Sequence, residues 1–205
     1  MRQQEKFFNS ALYLTIFAII MYILPWTLNN NAVLSLGAYD FAELLAKRQF
    51  NDLSYNTVLA LRGQLVLLTC LFAFSIQRPL FTVTWCLKAV LCMLLVIAQL
   101  PPLTYIQNLG DANQQQQALL AFNSLVAVGF GLTGLLSSAK YYAWIVISIV
   151  GILTTIYALI NALDIITAYS VNMRIGVGGI GLIIVYVIIG LYSMRKIIKN
   201  NRATQ

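Results

Sequence analysis

The chain contains no histidine among its 205 residues. Imidazole is the usual neutral metal ligand and the usual near-neutral base, so haem and chlorophyll ligation, Ser-His intramembrane proteolysis and most zinc chemistry are excluded in their common forms. Charge is scarce too, at 9% of positions against roughly 25% in a soluble domain. The three cysteines, Cys70, Cys86 and Cys92, form no CxxC and all fall in apolar stretches. They read as small buried hydrophobes and do not report the redox compartment.

What is present is apolar length. Hydrophobic residues make up 60% of the chain and its mean hydropathy is +0.80, more apolar surface than a water-soluble core of this size could hide. Crossing a bilayer takes about 20 mainly apolar residues. Six such stretches follow one another, at about 7–26, 55–76, 80–100, 119–136, 141–163 and 175–194. They leave little room for a separate soluble domain, so residues 1–205 read as a single integral membrane domain. The first stretch is longer than the apolar core of a signal peptide and runs into Pro25-Trp26, which favours an uncleaved span.

Between the first two stretches lies a polar segment, 27–57. In it Phe41, Leu44, Leu45 and Arg48 follow Asp40 at helical spacing. This predicts a short amphipathic helix lying flat at the membrane surface or plugged against the bundle. Ser54 is placed to cap the second span. Gln77-Arg78-Pro79 and Ser137 to Lys140 read as tight turns, and the run Gln114 to Gln117 as solvated linker.

With the amino terminus inside, eight basic residues fall on the inner side: Arg2, Lys6, Arg78, Lys140, Arg195, Lys196, Lys199 and Arg202. The outer side holds three, Lys47, Arg48 and Arg174. Since cytoplasmic loops are enriched in Lys and Arg, this bias predicts both termini in the cytoplasm of a bacterial-type inner membrane. The net charge of +7 is thereby explained without nucleic acid, for which no basic patch with interleaved aromatics exists. The expected fold class is therefore all-α, a polytopic bundle of six transmembrane helices.

Gly176-Val177-Gly178-Gly179-Ile180-Gly181 matches the string GxGxxG, but it opens an apolar span rather than joining a strand to a helix in a βαβ unit. Its glycines, Gly176 and Gly179 among them, read as points of close backbone approach. Two stripes of small residues carry the same reading. Ser124, Ala127, Gly131, Gly134 and Ser138 lie on the fourth span, and Ser148, Gly151, Thr155, Ala158 and Ala162 on the fifth. Joined by a tight turn, these two faces are expected to pack on each other, with the sixth span completing a rigid half of the bundle.

Two basic residues lie inside spans. Lys88, about ten residues from the inner turn, falls near the midplane, where a lysine costs ~2.5–3.5 kcal/mol unless it finds a partner or water. Arg62 is shallower and able to snorkel. Asp164, at helical spacing from Asn161 and Tyr157, is the expected counter-ion for either base. Lys88, Arg62, Asp164 and Asn161 thus form the candidate intramembrane polar site, with Gln64, Gln99 and Asn123 as further buried polar groups. Asp40 and Glu43 read as a solvated face paired with Lys47 and Arg48.

No hydroxyl has an identifiable base, and the sequence assigns no catalytic residue, metal or cofactor. The expectation is a non-catalytic accessory or scaffold subunit, with the lipid bilayer and other membrane subunits as partners. The alternative is a small solute or ion transporter with a polar site around Lys88. An intramembrane enzyme working without histidine comes third.

Overall fold

The computed structural model describes residues 2–29, 34–47, 52–76, 82–102, 110–135, 139–167 and 173–203. Among the described residues there are seven helices and three very short strands. In chain order they are α1 (Arg2–Ile23), β1 (Thr27–Asn29), β2 (Leu34–Leu36), α2 (Ala38–Lys47), α3 (Asp52–Phe74), α4 (Val83–Ile97), α5 (Ala112–Thr133), α6 (Lys140–Thr167), β3 (Met173–Ile175) and α7 (Val177–Ala203). Four are long and apolar enough to cross a membrane: α3, α5, α6 and α7. The apolar parts of α1 and α4 are shorter, Tyr13–Ile23 and Trp85–Ile97. The architecture is a helical bundle compatible with an integral membrane protein.

The helix ends follow from local chemistry. Pro25 cannot continue α1, and Pro101-Pro102 lie just beyond α4. Thr82 caps α4 by accepting from the backbone N–H of Trp85 at 3.3 Å. At the end of α5, Gly134 takes the left-handed conformation (φ 66°) and its N–H returns to the Gly131 carbonyl at 3.0 Å. It is a helix-stop glycine, a position where a Cβ is strained. Helix α3 begins at Asp52, so Ser54 lies within its first turn and not at its cap. The expected turn at 77–79 falls outside the described residues, as do 137 and 138 of the one expected at 137–140, whose Lys140 opens α6.

The sheet has the order β2-β1-β3, antiparallel throughout, with Thr27 opposite both Leu36 and Ile175. Three-residue strands carry no readable alternation, so the sequence reading placed none here. The sheet ties the end of α1 to the start of α7. The Gly176 N–H donates to the Trp26 carbonyl at 2.7 Å and the Gly178 N–H to that of Pro25 at 2.8 Å. A Cβ at Gly176 would overlap the Pro25 carbonyl, and one at Gly178 that of Leu24. The GxGxxG string is thus the surface on which the Leu24-Pro25-Trp26 corner rests. Helix α1 leads into this sheet and α7 leads out of it, and the two helices pack on each other.

Helix α3 is the hub. It packs against α6, α5, α2, α1 and α4, and 67% of its apolar window is buried against 39% for each of α5, α6 and α7. Its residues join two apolar clusters. Leu61, Leu68 and Leu71 meet α1, α2, α6 and α7, while Phe72, Ala73 and Ile76 meet Cys92, Val96 and Val128 of α4 and α5. Cys92 is buried, but Cys86 is exposed, contrary to its reading as a buried hydrophobe.

The small-residue stripes find different partners from those expected. The main neighbours of α5 are α3 and α4, and those of α6 are α7 and α3, so the two stripes do not form one shared face. A Cβ at Gly131 would stand 2.6 Å from the Ala73 carbonyl oxygen of α3, and one at Gly151 would stand 2.5 Å from the Tyr186 ring of α7. A Cβ at Gly179 would press on Leu159 at 2.9 Å. Chain proximity suggested a hairpin contact, but a helix's small face goes to whichever neighbour has the complementary shape, and α3 offers it centrally.

Gly131 and Gly129 make a matched pair. Gly131→Ala should lower thermal stability in detergent by about 1–3 kcal/mol, because the Ala73 backbone cannot yield. Gly129→Ala, with nothing within 4 Å, should be neutral or slightly stabilising. Equal effects of the two, read from melting curves, would show that α5 does not approach α3 this closely.

Candidate functional site

The buried charge of this bundle centres on Arg62, in the third turn of α3 and only 4% exposed. Its partner is Glu43 of α2, at 2.5 Å between Nη2 and Oε1. The other guanidinium nitrogen, Nη1, donates to Asn113 Oδ1 at 2.6 Å and Gln116 Oε1 at 3.3 Å. The same Glu43 oxygen also accepts from Gln117 Nε2 at 2.8 Å, and Gln116 Nε2 donates to the Tyr55 carbonyl at 3.2 Å. One ion pair and three amides therefore fasten α2, α3 and α5 together. The planar guanidinium suits this task, because its fixed fork of donors reaches two helices at once.

Two features of the sequence reading change here. Glu43 faces inward, and the acid opposite Arg62 is Glu43 rather than Asp164. The glutamine run is not linker: α5 starts at Ala112, capped by the Asp111 carboxylate accepting from the Asn113 N–H at 2.9 Å. Gln116 and Gln117 are buried in its first two turns. Four glutamines in a row have no apolar period, so only the Asp111 cap hinted at a helix. Helix α2 itself is where its amphipathic pattern put it, with Phe41, Ala42 and Leu45 buried against α3 and α1. It plugs the bundle.

A small cleft opens beside this ion pair, lined by Tyr22, Tyr39, Arg62, Gln99 and Gln117, with Leu65 and Leu120. Burial, and next the Glu43 carboxylate, push the Tyr39 phenol above its ordinary range, so it stays protonated. Gln99 of the cleft wall, just past α4, centres a second polar set that reaches α3 and α5. Gln99 Nε2 donates to Thr69 Oγ1 at 3.2 Å, while its Oε1 accepts from Ser124 Oγ at 2.7 Å. A third set joins α3, α6 and α7. Gln64 Nε2 donates to Thr154 Oγ1 at 2.8 Å and its Oε1 accepts from Tyr186 Oη at 3.1 Å.

The four residues of the expected polar site are not brought together. Lys88 is buried, and its Nζ donates to the Ser75 carbonyl at 3.2 Å. That carbonyl lies just past the end of α3, where backbone oxygens lack helical partners and the helix dipole is negative. Lys88 is the sixth residue of α4, and a helical side chain leans toward its own amino-terminal turn, so the ammonium serves the hairpin end of the bundle. Asn161 donates to the Tyr157 carbonyl of its own helix at 2.8 Å, and Asp164 is exposed near the end of α6. Asn123 is exposed as well, whereas Gln64 and Gln99 are buried.

Among the described residues no group of three or more Cys, Asp or Glu side chains is placed to hold a metal ion. Compared with known protein families, curated proteins and solved structures, the chain matches none.

The two ends of the ion pair differ in exposure, Arg62 at 4% and Glu43 at 27%, which sets the direction of the mutational effects. Glu43→Ala strands a buried cation and should cost about 3 kcal/mol. Arg62→Met removes that cation and leaves a carboxylate able to reach water, so about 1 kcal/mol is expected. Combining the two should restore part of what Glu43→Ala loses. Chemical or thermal denaturation in detergent decides it, and additive losses in the double variant would mean that the two side chains are not coupled.

Proposed function

We propose that this chain is a six-span protein of a bacterial-type inner membrane, both termini cytoplasmic, acting as a non-catalytic accessory or scaffold subunit of a larger membrane complex. The observation that carries this reading is how the embedded polarity is used. The side chains of Arg62, Gln64 and Gln99 each bond to neighbouring helices, so the polar groups hold helices in register instead of lining a continuous path. The joining of α1 and α7 at the sheet, with the two helices packed on each other, supports termini on one side. The eight-to-three distribution of basic residues supports which side that is. Outward, α4 presents Val83, Leu87, Val90, Leu94 and Ile97, an apolar face suited to lipid or a neighbouring subunit.

The transporter reading draws less support. Lys88, its intended centre, bonds to the carbonyl end of α3. An ammonium so placed offsets a helix terminus and requires no translocated ligand.

Two measurements test the proposal. In a background without native cysteines, Cys at Asn30 or Asn172 should react with an impermeant thiol reagent from outside intact cells, while Cys at Gln3, Ser138 or Asn200 should not; reversed labelling would overturn the orientation. Extraction in gentle detergent followed by native mass spectrometry should show a second membrane chain at fixed stoichiometry. A lone chain binding only lipid would contradict the subunit role.

A further inference from the structure

Three buried polar atoms beside the Arg62–Glu43 pair have no hydrogen-bond partner in the protein: Tyr22 Oη, Arg62 Nε and Gln117 Oε1. All three residues line the cleft, and each is at least nine-tenths buried, at 5%, 4% and 5% exposure. Leaving such atoms unbonded costs the desolvation of each, more at a charged group. Three in one place is unusual in a native protein, where nearly all buried polar atoms find a partner. Their characters are complementary. The Arg62 Nε–H can only donate, Gln117 Oε1 can only accept, and the Tyr22 hydroxyl can do either. A single small molecule that accepts twice and donates once would satisfy all three.

We propose that the cleft under α2 is a binding site for an ordered water molecule, held by Arg62, Tyr22 and Gln117. The free interior is about 10 Å³, the room one water needs and too little for an organic solute. Three bonds is the usual number for a buried water. Most of the wall is apolar, but five of the seven lining residues, Tyr22, Tyr39, Arg62, Gln99 and Gln117, carry a polar group. The water completes the guanidinium's bonding: Nη1 faces α5, Nη2 faces α2, and Nε faces the water, which extends the network to Tyr22 of α1. The ion pair is therefore a hydrated one, and the water bridges α1 to the other three helices.

Brief X-ray radiolysis of the intact protein in nanodiscs, in water enriched in oxygen-18, tests this directly, because hydroxyl radicals made from a bound water oxidise the side chain beside it. Tyr22 should be labelled at least about tenfold faster than Tyr186, which is buried with its hydroxyl bonded to Gln64. Equal labelling of the two would overturn the proposal. Tyr22→Phe supplies a second readout. A wet site loses a bond and its melting temperature should fall by about 2–4 °C. In a dry site the change removes an unbonded hydroxyl, so an unchanged or raised melting temperature would equally overturn it.

Discussion

A guanidinium cannot give up its charge, so burying Arg62 inside an apolar bundle obliges the surrounding chain to supply a counter-charge and acceptors. Much of what is distinctive about this fold answers that demand. Glu43 must come from somewhere, and α2 delivers it by folding back over the bundle instead of staying in the polar connection between the first two long helices. Asn113, Gln116 and Gln117 must be helical to present their amides on one side, which requires α5 to begin at Ala112, far before its apolar portion. Once those three elements are fastened, the cleft between them and Tyr22 of α1 is defined.

Away from this site the bundle is held by closeness of fit. Apolar side chains gain little from leaving lipid for one another, so helix association rests on dispersion at short range and on hydrogen bonds between helices. Gly131 against Ala73 and Gly151 under the Tyr186 ring provide the first. Gln64 and Gln99, each bridging two other helices, provide the second. The Gly131 contact and both glutamine networks converge on α3, which explains why the helix carrying Arg62 and Gln64 is also the most buried of the four long ones. At its far end Lys88 offsets the carbonyls that the helix leaves unpaired.

Apolar runs located the apolar parts of the long helices, because hydrophobicity sums over twenty positions and tolerates single errors. Helix α5, however, begins seven residues before its expected span and α7 runs nine residues past its own. The amphipathic period of 38–47 likewise marked α2. What the sequence could not convey was pairing. Glu43 has Lys47 four residues away on its own helix, and local spacing makes that the natural partner; only the tertiary fold brings Arg62 to Glu43. Asp164, at helical spacing from Asn161 and Tyr157, reads as the counter-ion for Arg62 or Lys88, yet spacing along one helix says nothing about which faces of two helices meet. The glutamine run misled for a related reason, since polar residues at a helix start look like loop until their partners are known. The small strands, three residues each, lie below the length at which alternation can be read.

Glu43 and Arg62 hold α2 onto the bundle, while the packing of α6 on α7 stands independently. Hydrogen–deuterium exchange by mass spectrometry, on wild type and Glu43→Ala in nanodiscs, measures both at once. The expected result is that backbone amides of 38–47 lose most of their protection in the variant, those of the first turns of α5 lose part, and those of α6 and α7 keep theirs. Unchanged protection across 38–47 would contradict the claim, and so would an even loss over all the helices.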